Sequence, residues 1–131
     1  MLFRSIAKAN AICEEANRSE TNSGLTAGPA IEDQRDQLAR PRLQRRVVTI
    51  LRETLADLRE LEAPEGDEAR AAKITSSLEH VLTAREDQFA AARANDGSAE
   101  TKAENAFFTA STNLSASAGS YGLSHCQGLG F

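Results

Sequence analysis

Two cysteines, Cys13 in "ANAICEEAN" and Cys126 in "YGLSHCQGLGF", stand almost a full chain apart, and no other residues here are as able to form a covalent bond or hold a metal. Three readings compete. A disulfide would close a loop spanning most of the 131 residues and stabilise the fold by about 5 kcal/mol in the chain-entropy account. A zinc site would need adjacent His125 and Cys126 to share an ion with Cys13 and distant His80, a spacing that matches no recurrent four-ligand pattern. Inert, buried thiols in a reducing cytoplasm are the third.

Other reactive constellations fail on spacing. "GLSHC" follows G-x-S-x-G up to its last position, where Cys126 replaces glycine, and it follows a helical pattern where a nucleophile elbow needs a strand before Ser124. Di-iron bundles need Glu-x-x-His pairs, but Ser77 precedes His80 by three residues and Gly122 precedes His125. There is no glycine-rich phosphate loop with its lysine. Neighbouring acids such as Glu14 and Glu15, or Glu86 and Asp87, diverge on a helix and make no acid–base pair. We therefore expect no enzyme, no cofactor and no metal.

One charge cluster remains, "RPRLQRR", with Arg40, Arg42, Arg45 and Arg46. It lacks the interleaved aromatics of a nucleic-acid surface, and Asp57, Glu60 and Glu62 follow closely, so nucleic acid is not an expected partner. A solvated helix face is the plain reading; a contact with an anionic partner or lipid surface is the functional one. Asn17 and Asn113 head N-x-S sequences, which occur often by chance.

The elements that would carry these residues are helical. Ile6, Ala9, Cys13 and Ala16 fall three and four apart, predicting a helix over about 3–18 with Cys13 on its apolar face. "SETNSGLTAGP" reads as a loop. A second helical run covers about 29–61, broken near Pro41, with Val47, Leu51, Leu55, Leu58 and Leu61 as its stripe. After "APEGD", with Asp67 as the expected cap, a third helix runs over about 67–94 through Ala71, Ile74, Leu78, Val81, Leu82, Phe89 and Ala92. Arg85 falls on that seam and is expected to lay its stem on the core edge and its head in water or on a carboxylate. "NDGS" makes the next turn, with Ser98 expected to cap a fourth helix over about 98–118 that carries Ala103, Phe107, Ala110 and Leu114. Residues 119–131 read as a flexible, glycine-punctuated tail.

The chain as a whole fits one domain. Alanine supplies 23 residues, and Leu, Ile, Val and Phe together only 26 of 131, so the core is thin. No apolar run approaches the roughly 18 to 20 residues of a membrane span. "MLFRSIAKAN" is broken by Arg4 and Lys8 and does not read as a secretory leader.

The stretches "ANAICEEANR" and "YGLSHC" resemble the bracketing motifs of small secreted or lipid-anchored helical proteins of actinobacteria, A-[DN]-A-I-C-x-x-A-N at the start and Y-G-L-x-x-C at the end, with a charged helical hairpin between. The resemblance implies an extracytoplasmic compartment and a Cys13–Cys126 disulfide, and supplies no activity. Two features depart from that pattern: a leader or lipid-attachment cysteine is absent from this chain, and "QGLGF" follows Cys126.

These features together predict an all-α, antiparallel bundle of three to four helices, or an N-terminal helix clasped to a long hairpin, with its ends joined by the cysteines. The leading expectation is a non-catalytic interaction or structural module outside the cytoplasm, secreted or associated with a bacterial cell envelope. A thin leucine-rich core could also complete itself as a homodimer. Two alternatives are a bundle carrying an apolar or metal ligand near Phe89, Phe107, Phe108 and Tyr121, and a cytosolic adaptor that uses the arginines.

Overall fold

The chain's structure is a computed structural model that describes residues 2–22 and 41–129. Among them are four α-helices and no strand: α1 (Leu2–Asn22), α2 (Pro41–Glu60), α3 (Glu68–Arg93) and α4 (Gly97–Ser120), followed by a 3-10 turn at Ser124–Cys126. The expected helical run over 29–40, and Arg40 with it, lies outside the described residues.

Each helix turns its expected stripe inward. Val47, Leu51, Leu55 and Leu58 of α2 are buried, as are Ile74, Leu78, Val81, Leu82 and Phe89 of α3 and Ala103, Phe107, Ala110 and Leu114 of α4. Cross-helix pairs fix the register of α2 against α3. Gln44 meets Arg93, Arg52 meets Glu86 and Arg59 meets Glu79, one number rising as the other falls, so the two helices run antiparallel. Both ion pairs are exposed, and each contributes at most about 1 kcal/mol. They set register more than stability.

The α3–α4 connection is shorter than its sequence implies. Asn95 has a positive φ, a conformation asparagine tolerates better than most residues, and the Asn95 and Asp96 amides return to the Ala92 and Ala91 carbonyls. Asp96 at once begins the next helix, accepting from the Ala99 amide on its side chain. Asp96, not Ser98, is therefore the cap, because it closes α3 and opens α4 in a single residue. The fourth helix spans 24 residues, close to the expected 98–118.

Asp67 also departs from expectation. Its side chain caps nothing. Its carboxylate instead accepts from the Tyr121 hydroxyl at 3.3 Å, tying the start of α3 to the end of α4. Burial, then the Asp67 charge and hydrogen bond, push the Tyr121 pKa above its ordinary value near 10, against a smaller opposing pull from Arg70. Since the folded state holds this proton more tightly, the contribution is complete below the unfolded value and is lost as pH rises through the raised one. Tyr121 is the sole tyrosine in a chain without tryptophan, so tyrosinate absorbance reads this contact alone. An alkaline titration should place its midpoint above that of a free tyrosine. Asp67→Asn should move the midpoint back part of the way, and an unshifted midpoint in the unsubstituted protein would refute the contact.

The largest correction concerns the tail. Residues 119–129 do not trail into solvent. Gly122, at positive φ, ends α4 as the Leu123 amide reaches the Ala118 carbonyl and the Gly122 amide that of Gly119. Leu123, Cys126 and Leu129 then bury themselves between α1 and α4. The chain of packing runs α1 to α2 to α3 to α4 and returns to α1 through this segment, which touches both α1 and α4.

Candidate functional site

The cysteines and the arginines occupy different parts of the fold. Cys13 and Cys126 form a disulfide, both fully buried, with their Cα atoms 5.0 Å apart. Backbone contacts surround it. Asn10 donates to the Gly122 carbonyl and accepts from the His125 amide, and Asn17 donates to the His125 carbonyl at 2.7 Å. Gln127 reaches over Gly119, where a Cβ would collide with its amide, and donates to the Ser115 carbonyl. His125 thus contributes its backbone to the clasp. Among the described residues, no three His, Cys, Asp or Glu side chains gather to hold a metal ion.

Of the arginine cluster, Arg42, Arg45 and Arg46 are all exposed, and none has an ion pair among the described residues. Arg45, Thr49 and Arg52 fall four and three residues apart on one face of α2. Along that face lies an open groove of about 610 Å³ between α2 and α3, lined by Gln44, Arg45, Val48, Thr49 and Arg52 on one wall and Glu86, Asp87, Phe89, Ala90 and Arg93 on the other. Arg42 and Arg46 stand beside that face without lining the groove.

Sequence reasoning missed two of the groove's three cations. Arg52 shares a face of α2 with Arg45 by its seven-residue spacing, whereas Arg93 joins them only because antiparallel pairing brings the start of α2 beside the end of α3, and spacing along a single helix carries no signal of that. Arg93 donates to the buried Gln44 amide oxygen at 2.6 Å, which fixes its head at the groove. Arg52 bonds Glu86 at 3.1 Å. Three guanidinium groups against two carboxylates leave the lining net positive on a protein whose overall charge is -4.

Arg85 does not behave as expected. It is buried, its guanidinium 3.9 Å from the centre of the Phe107 ring, and it donates to the Gln88 amide oxygen at 2.7 Å. The aromatic face and the amide replace the water that the stem-on-core reading assigned to it. The four aromatics grouped for the carrier reading do not surround one space. Phe89 is core, Phe107 lies under Arg85, Phe108 is 61% exposed, and Tyr121 sits fourteen residues beyond Phe107 along α4, roughly 20 Å away. Beside Tyr121 the apolar cavity holds about 50 Å³, room for a water or two.

Comparison with protein-family models, with curated protein sequences and with solved structures finds no match, so the functional reading rests on the chain's own chemistry.

Proposed function

We propose that this chain is a non-catalytic helical interaction module that works outside the cytoplasm, secreted or associated with a bacterial cell envelope. The observation that carries the reading is the buried Cys13–Cys126 disulfide, since such bonds persist in oxidising compartments and are rare where glutathione and thioredoxin keep thiols reduced. The terminal motifs, with their resemblance to secreted or lipid-anchored actinobacterial proteins, support the same compartment. No helix among the described residues is long and apolar enough to cross a membrane. The interaction role is supported by the exposed arginines of α2 and the groove beside them.

The test is made in the organism that encodes the protein. Cells are quenched with an alkylating agent, fractionated, and the intact protein is weighed with and without reductant. Recovery from the envelope or medium with unmodified cysteines, and cross-linked partners from the same fraction, is the expected result. Two alkylated thiols in a cytosolic fraction would overturn the reading in favour of a cytosolic adaptor.

A further inference from the structure

We propose that the α2–α3 groove binds an acidic polypeptide segment of a protein partner, with Arg45 and Arg93 taking its carboxylates and Val48 and Ala90 its apolar side chains. The proposal rests on the reading of the chain as an interaction module and names the partner's chemistry.

Four observations favour this occupant over other anions. First, Arg45 is exposed and has no hydrogen-bond or ion-pair partner among the described residues, so its guanidinium keeps its full donor set for a carboxylate fork. Second, Arg93, held at the groove by its 2.6 Å bond to Gln44, stands on the wall opposite Arg45 in the same lining, so two guanidinium groups face one segment from two helices. Third, Glu86 and Asp87 stand in the same lining. They would repel a continuous run of phosphates, whereas a peptide can set its own N–H donors against them and its carboxylates against the arginines. Fourth, Val48 and Ala90 give the groove apolar surface, which neither a free phosphate nor a lipid headgroup would use. Phe108, the one large apolar side chain that is exposed among the described residues, lies on α4, outside the groove lining, so the groove lacks the apolar rim that lipid insertion needs.

The probe is a short fluorescein-labelled peptide alternating glutamate or aspartate with leucine, titrated by anisotropy against the oxidised full chain. The comparison ligands are the same peptide with glutamine and asparagine for the acids, inorganic pyrophosphate, and phosphatidylglycerol vesicles. Saturable binding of the acidic peptide is expected, weakening with salt. Arg45→Glu should weaken it on the order of tenfold, equivalent to about 1.4 kcal/mol. Lys102→Glu, an equal charge change on exposed α4, should leave it nearly unchanged. Arg45 makes no contact that folding needs, and the melting temperature of each variant verifies this.

Absence of peptide binding, equal binding of the amide peptide, equal loss in both variants, or a preference for pyrophosphate or vesicles would each overturn the assignment. These outcomes are independent of where the protein resides. A negative result here leaves the compartment reading intact, and reduced cysteines in the cell would leave a positive one intact.

Discussion

Cys126→Ser should lower the melting temperature of the oxidised protein by about 20 °C, the largest effect we expect from any single substitution. The disulfide joins residues 113 apart, and freeing a loop of that length restores entropy to the unfolded chain equivalent to about 5 kcal/mol. A domain of this size holds only about 5–15 kcal/mol in total. Little else could compensate. Three of the five buried residues on α4 are alanines, which remove little apolar area from water at roughly 25 cal/mol per Å². The Asn10, Asn17 and Gln127 bonds around the clasp are exposed and exchange with water. Calorimetry on the oxidised protein, the reduced protein, Cys13→Ser, Cys126→Ser and the double variant provides the check. All four perturbed forms should melt together, since each removes the same constraint. A drop of under about 5 °C would mean that Leu123 and Leu129 hold the segment down by packing, and the entropic account would be wrong.

Phe89→Ala should cost about 3–5 kcal/mol, the second largest effect. Phe89 is the largest fully enclosed side chain among the described residues, 2% exposed, on the inner face of α3, where that helix packs against both α2 and α4. Truncation leaves a void that rigid neighbours on both sides cannot close. The loss should appear in urea as a lower midpoint with an unchanged slope. Because Phe89 also borders the arginine groove, peptide binding should weaken in the same variant without any change of charge. A cost under about 1 kcal/mol would show that α3 settles into the space, and would imply a more compliant core than its packing indicates.

The two predictions test opposite ends of the molecule. One concerns a segment held by a covalent tie because its helix has little to bury. The other concerns the hairpin, where leucine, valine and phenylalanine supply the packing. If both hold, reduction should loosen the clasp while α2 and α3, with the groove between them, lose the least. Hydrogen exchange on the reduced protein would locate that boundary.

Helix identity and inward face were determined by the sequence, since three- and four-residue spacing follows from backbone geometry that each segment carries alone. Val47 through Leu58, Ile74 through Phe89 and Ala103 through Leu114 are buried as their spacing dictates. The pairing of Cys13 with Cys126 was legible as one of three readings, because a thin core at both ends makes a tie valuable. Tertiary structure decided the rest. Asp67 gives up capping once Tyr121, 54 residues away, offers it a hydroxyl. Arg85 enters the core because Phe107 presents a ring face to it. Glycine, serine and glutamine in 119–129 signal a loose tail, yet Leu123, Cys126 and Leu129 are buried there and the stretch packs against both α1 and α4. The groove is the clearest case. Arg45 and Arg52 share a face of α2 by spacing, but Arg93 joins them only through the antiparallel register of α2 and α3, and a register is a property of two surfaces meeting, which neither helix encodes by itself.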